Sequence, residues 1–232
     1  MHDHVSAAKK AAFVHVDYVQ AGYTRRLDKD CYVDFDRIFA VSDETAGVFA
    51  GVYPECQQKL SVFHNLIDTE AIRQKALSPA EKSMHEGIRL LTVGRLTPQK
   101  GFDCAVYALK LLLEKQYPVY WYIIGEGPEY GRLTQLARSL HVEDHFIFLG
   151  MQTNPYPYFK MADFYIHATR FEGKSIAIQE AQVLGCAIAA SDCSGNREQI
   201  VSGVDGLLCP FSPEGIANAV EYLIELSLIH IS

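Results

Sequence analysis

From Arg89 onward the chain alternates short apolar runs, several ending in glycine, with longer amphipathic stretches, and that alternation leaves few folds open. Residues 89–94, 119–124, 146–149, 164–168 and 187–190 read as strands that are apolar throughout rather than at every second position. Residues 104–115, 128–140 and 176–184 read as helices, with a short helix near Arg197 and a last one over about 213–225. Continuous apolar strands separated by helices require a parallel sheet covered on both faces. The expected fold class is α/β, with a doubly wound domain over residues 88–225.

Ligands of such sheets bind outside the carboxyl ends of the strands. Gly94-Arg95, Gly125-Glu126-Gly127, Gly150-Met151 and Glu172-Gly173 all fall there, so four loops converge on one rim. In the segment from Arg170 to Ala181, Gly173 is expected to supply a turn with positive φ and Ser175 to cap the helix that opens at Ile176. A helix N-terminus attracts anions, phosphate above all. Glu172 just before that terminus, and Glu180 inside the helix, suit sugar or ribose hydroxyls as hydrogen-bond acceptors. Two such glutamates taken alone are more often solvated surface charges. Ala181 and a terminating Gly185 before another apolar strand argue for a helix packed on the sheet.

Arg95 and Lys100 follow the first strand of this domain and are suited to neutralise a diphosphate, the first as a planar fork and the second as a mobile point charge. Solvated loop cations are an equal alternative for the pair considered alone. Gly101 is expected to turn the chain and Asp103 to cap the next helix. Gly125-Glu126-Gly127-Pro128-Glu129-Tyr130 matches a dinucleotide fingerprint only in part, because Tyr130 stands at the third glycine position.

With net charge −7, a pI near 5.7 and no basic cluster, nucleic acid is not an expected partner. The six cysteines show neither paired nor ligand spacing and read as free thiols of a reducing compartment, placing the chain in the cytoplasm. No apolar run reaches the ~20 residues of a membrane span. His2 and His4 flank Asp3, but an end segment rather than a metal site is the expectation there.

Ahead of Arg89, residues 12–16, 37–41 and 60–63 read as strands and 43–52 as a helix capped by Ser42 or Asp43. This looks too small to close a core of its own, so residues 1–68 are expected to be the remnant of a further domain and 69–87 a polar interdomain linker.

In order along the chain, Val93-Gly-Arg-Leu-Thr-Pro-Gln-Lys-Gly-Phe-Asp103, Ile124-Gly-Glu-Gly-Pro128, Phe148-Leu-Gly150, Phe171-Glu-Gly173 with Glu180-Ala181, and Ser194-Gly-Asn-Arg-Glu-Gln-Ile200 with Gly206-Leu-Leu208 resemble the GT-B retaining glycosyltransferases of family four. The resemblance spans about residues 11–222. It implies a GT-B fold whose C-terminal domain binds a nucleotide-diphosphate sugar, UDP-sugar foremost. The resemblance gives Arg95 and Lys100 the diphosphate, Glu180 the ribose and Glu172 the donor sugar. Gly94, Gly125, Gly127, Met151, Gly173, Lys174, Ser175 and Ile176 would line the donor site, and His15 would face the sugar from the first domain. Asn65 to Asp68 resembles the domain crossover.

The resemblance also implies transfer with retention, no metal and no cofactor, and a saccharide or lipid-linked acceptor of surface polysaccharide or glycolipid synthesis. Peripheral contact with the inner face of a membrane would run through the first domain. Two departures stand out. Only the last part of that first domain is present, so the chain is expected to be an inactive fragment. Residues 226–232 abandon the preceding helical pattern, resemble translated adapter sequence from a sequencing library, and are expected to be foreign. A nucleotide-sugar epimerase of the same fold and a sugar-nucleotide-binding remnant without turnover are the alternatives.

Overall fold

The computed structural model describes residues 6–229; His2, Asp3 and His4 lie outside the described residues, as do 230–232. The chain divides into two compact units. The first holds residues up to Leu66 together with Phe171–Ser175 and Cys193–Gln199, and the second holds the rest. Among the described residues no helix is long and apolar enough to cross a membrane.

In the first unit, β1 (Ala11–Val14), α1 (Arg25–Asp28), β2 (Arg37–Ala40), α2 (Asp43–Val52) and β3 (Leu60–Val62) build a parallel sheet of order β1-β2-β3. Ser42 caps α2, its side chain accepting from the Thr45 amide at 3.1 Å. The segment closes a core after all, and large aromatic rings are the reason. Val14, Ile38 and Cys56 pack with Tyr18, Phe49 and Tyr53, and the Tyr18 ring meets Phe49 and Tyr53 edge-on at 5.6 and 5.8 Å. Rings of this size bury much area from few residues. The Tyr18 hydroxyl donates to Asp28, and burial followed by that bond drives the phenol pKa far up.

The second unit begins with α3 (Thr69–Lys75), β4 (Ile88–Val93), α4 (Phe102–Glu114), β5 (Val119–Ile124), α5 (Tyr130–Ser139), β6 (Phe146–Gly150), α6 (Tyr156–Met161) and β7 (Phe164–His167). It continues through α7 (Ile176–Val183) and β8 (Ala187–Ser191). After α8 (Ser194–Arg197), which belongs to the first unit, it ends with β9 (Leu207–Cys209) and α9 (Pro213–Ile229). The six strands are parallel, in the order β6-β5-β4-β7-β8-β9. Adjacent residues of one strand serve opposite layers. Leu90 and Trp121 join Leu109, Leu133 and Val220 of α4, α5 and α9, while Leu91 and Tyr122 join Phe159 and Ile178 of α6 and α7. This two-sided burial is why the strands are apolar throughout. The chain leaves β4 toward one edge and resumes at β7 on its other side, so the loops after β4 and β7 part at a topological switch point.

Residues 69–87, expected as a linker, are packed into the second unit. Tyr158 Oη accepts the Lys82 amide at 3.0 Å, Tyr122 Oη accepts the His85 amide at 2.6 Å, and the Lys75 carbonyl accepts from Asn154 at 2.8 Å. Buried tyrosines need such partners, and the polar segment supplies them. The last helix does not break at Glu225. It runs to Ile229, because Leu226 is half-buried and the Ser227 hydroxyl satisfies the Ile224 carbonyl at 2.7 Å.

Gly173 does not adopt the expected positive φ; its requirement is space. A Cβ there would lie 2.2 Å from the His15 carbonyl oxygen, and a Cβ on Gly195 would lie 1.6 Å from the Gly173 carbonyl oxygen. Three backbone segments of the first unit thus stack without side chains between them. Gly195→Ala should lower stability by about 3 kcal/mol through overpacking that backbone cannot relieve. Gly131→Ala, in α5 with nothing within 4 Å of the new methyl, should raise it by about 1 kcal/mol. Urea denaturation of both variants checks the contrast, and equal behaviour would contradict it.

Candidate functional site

Three loops at the carboxyl ends of β4, β5 and β6 are pinned to one another by backbone alone. The Gly94 amide donates to Ile124 at 2.9 Å, Leu96 to Glu126 at 2.9 Å, Glu129 to Leu96 at 3.1 Å and Gly125 to Gly150 at 3.0 Å. Gly125 has φ 142°, and a Cβ on it would fall 2.0 Å from the Gly94 carbonyl oxygen; a Cβ on Gly127 would fall 2.3 Å from that of Leu96. The partial fingerprint is therefore a close-approach device in which Tyr130 has no need to be glycine. Around these loops lies a cleft of about 590 Å³, lined by Val93, Gly94, Arg95, Ile124, Gly125, Glu126, Gly127, Met151, Gln152 and Pro155. Its size is that of an ordinary small-molecule site. Five of the expected residues meet here: Gly94, Arg95, Gly125, Gly127 and Met151.

Lys100 does not line this cleft, but its aliphatic stem covers Gly94, with Cδ and Cε 3.7 Å from where a Cβ would be. It ends the single 3-10 turn Pro98–Lys100, which is held by the strand end after β7. Gln99 O accepts the Arg170 amide at 2.8 Å and the Thr169 hydroxyl at 3.1 Å, and the Arg170 guanidinium donates to Pro98 O at 2.5 Å. Asp103 does not cap α4, whose N-cap is Gly101 with φ 61°. Its carboxylate instead takes two hydrogen bonds from Arg170, at 3.0 and 2.7 Å. Burial alone would push the Asp103 pKa up; the Arg170 bonds outweigh it and hold the carboxyl below its usual range.

Glu180 is half-buried on α7 and accepts from the Tyr156 hydroxyl at 2.9 Å. Burial raises its pKa, and the Tyr156 bond partly offsets the rise. The tyrosine, by burial first and then by this bond, is pushed up to about 12. A carboxylate so held remains a strong acceptor for a hydroxyl. Ile176 opens the same helix and is exposed.

The remaining expected residues belong to the first unit: His15 as its place in the sequence implies, and Glu172 to Ser175 despite lying within the span of the second domain. Glu172, Gly173 and Ser175 are buried. Lys174 places Nζ 3.2 Å from His64 Nδ1, and its carbonyl accepts from Asn65 at 3.2 Å. His15 is exposed at the end of β1, stacked on Phe13 at 5.8 Å, with its carbonyl against Gly173. It is not a core histidine.

The sequence profile described as Glycosyl transferases group 1 matches residues 73–229. The chain belongs to that family. It is 34% identical over 152 residues to the N-acetylgalactosamine-N,N'-diacetylbacillosaminyl-diphospho-undecaprenol 4-alpha-N-acetylgalactosaminyltransferase of Campylobacter jejuni, covering 65% of this chain and 40% of the relative. Identity to an uncharacterized glycosyltransferase of Methanocaldococcus jannaschii is 25% over 192 residues, 81% of this chain and 45% of the relative. The chain thus spans less than half the length of these two curated relatives. The crystal structure of Anabaena HepE in complex with UDP-glucose matches with a TM-score of 0.81 at 19% identity, over 95% of this chain and 64% of that one. The fold is GT-B.

Two side chains of this group 1 glycosyltransferase chain that order the residues around the cleft escape a reading by motif. Tyr156 stands in a segment without helical periodicity long enough to signal α6, and Arg170 looks like a loop cation until Asp103 is seen opposite it. A folded-state pKa below the unfolded one makes the Asp103–Arg170 pair stabilising above the usual carboxylate range and lost as pH falls through the lowered value. Asp103→Asn should cost about 1 kcal/mol at pH 7, discounted for the half-exposed pair. The difference from wild type should shrink as pH falls below the ordinary carboxylate range and through the lowered value, which thermal melts across acidic pH would show. A gap that persists in acid would contradict the ion-pair account.

Proposed function

We propose that this chain carries the donor side of a transferase that moves a sugar from a nucleoside diphosphate, UDP foremost, to a saccharide or lipid-linked acceptor with retention. The observation that carries this reading is the cleft of the second unit. Part of its wall is backbone brought close by the missing side chains of Gly125 and Gly127, and its lining carries one cation, Arg95, together with the acid Glu126. Such a wall suits a polar, extended ligand approached by main-chain groups, and a guanidinium suits its diphosphate. The names of similar proteins support the donor class, since HepE was crystallised with UDP-glucose and the Campylobacter relative acts on an undecaprenol-linked acceptor.

In this reading Arg95 and Lys100 neutralise the diphosphate, Glu180 accepts from the ribose, and the amides at the start of α7 add donors for phosphate. Glu172, Lys174, Ser175 and His15, which belong to the first unit, keep the donor-side roles that the family resemblance gives them. Negative charge develops on the leaving diphosphate as the glycosidic bond breaks. Fixed cations and a helix N-terminus stabilise that charge without a metal or a cofactor. The acceptor hydroxyl then attacks from the same face within a short-lived ion pair, forming the new bond to the anomeric carbon and passing its proton to the departing diphosphate oxygen, so the configuration is retained.

Arg95→Ala and Lys100→Ala should each weaken UDP binding by roughly 1.5–3 kcal/mol, the worth of a charge-assisted hydrogen bond, and leave uridine binding nearly unchanged. Calorimetric titration of both ligands is the check. Equal losses for UDP and uridine would mean that the two cations support the fold and not the phosphates.

A further inference from the structure

The segment Asn154-Pro155-Tyr156 connects the cleft to the Glu180 carboxylate, and the reading above gives Tyr156 no role. Asn154 donates to the carbonyl of Lys75 at the end of α3, and its own Oδ1 accepts the Tyr156 amide at 3.3 Å. Pro155 lines the cleft. Tyr156 donates its hydroxyl to Glu180 Oε1 at 2.9 Å, the one side-chain hydrogen bond that carboxylate receives among the described residues. Three consecutive residues thus anchor to a neighbouring helix, wall the cleft and fix one oxygen of a half-buried acid.

We propose that Tyr156 is a positioning residue for ribose recognition, acting through Glu180 and setting the preference for a ribonucleoside diphosphate over its deoxy counterparts. The proposal rests on Glu180 as the ribose acceptor. A glutamate side chain is long and its terminal torsion is soft, so an unheld carboxylate would sample many orientations. Tyr156 has a single proton to give, and giving it to Oε1 leaves the lone pairs of Oε2 for the vicinal hydroxyls of a ribose. A tyrosine kept neutral far above physiological pH is a constant donor, unaffected by ordinary changes of pH. The anchor at Asn154 keeps the backbone of Tyr156 in place, so the phenol reaches Glu180 from a fixed base.

The test uses the full 232-residue chain, with UDP and 2′,3′-dideoxy-UDP as the two probes, and compares wild type, Tyr156→Phe, Glu180→Gln and the double variant by calorimetry. Tyr156→Phe keeps the ring and removes the one hydroxyl, and melting curves confirm that each variant is folded. The expected result is a threefold to tenfold loss of UDP affinity in Tyr156→Phe, about the worth of one hydrogen bond, with no change for the dideoxy ligand. Glu180→Gln should show the same selectivity with a larger loss, and the double variant should be no weaker than Glu180→Gln alone, since the tyrosine acts only through the acid. If Glu180→Gln discriminates between the probes while Tyr156→Phe binds UDP as wild type does, or loses both probes equally, the positioning role is overturned and the ribose reading of Glu180 stands. If Glu180→Gln itself loses both probes equally, the ribose reading fails and the proposal with it.

Discussion

Main chain packed against main chain is the constraint on which the rest of this structure depends. In the second unit Gly125 and Gly127 let the loop after β5 lie directly on the carbonyls of Gly94 and Leu96, and four backbone hydrogen bonds then lock the loops of β4, β5 and β6 into one rim. In the first unit Gly173 and Gly195 do the same for the backbone at His15 and Glu172. A side chain at any of the four would have to displace a carbonyl oxygen, which a packed interior resists. The same contacts hold the amides of these loops and one cleft wall in fixed places, which is the preorganisation the proposed donor site requires.

Electrostatics around the rim is arranged by side chains with partners. Arg170 spends its charge on Asp103 and the turn before Lys100, stacking also over Phe211 at 5.0 Å, so its contribution is to hold a loop. Glu180 sits half-buried with a phenol as donor and, among the described residues, no cation bonded to it, an environment that favours accepting from a neutral hydroxyl. Arg95 is exposed on the cleft lining.

Much of this was legible in the sequence for physical reasons. Uninterrupted apolar strands ending in glycine can only be a two-sided parallel sheet, so the doubly wound unit, its strand ends and the loops of Gly94, Gly125 and Met151 could be placed from pattern alone. What pattern could not give is which backbone meets which. Gly173 was expected to turn the chain, yet it is there to let His15 approach, and that contact joins residues 158 positions apart. Asp103 was expected to cap a helix and instead meets Arg170. The strand, aromatic and cysteine side chains that close the first core, and the tyrosines that recruit residues 69–87, are long-range choices that local periodicity does not carry.

The most direct test of the account is to map UDP onto the wild-type chain by backbone amide chemical shifts. The account predicts that the amides of residues 94–97, 99–100, 125–127 and 151–152 shift together and saturate with one dissociation constant. Shifts confined to the opposite end of the sheet, around Gly185, Gly203 and Tyr222, would contradict it.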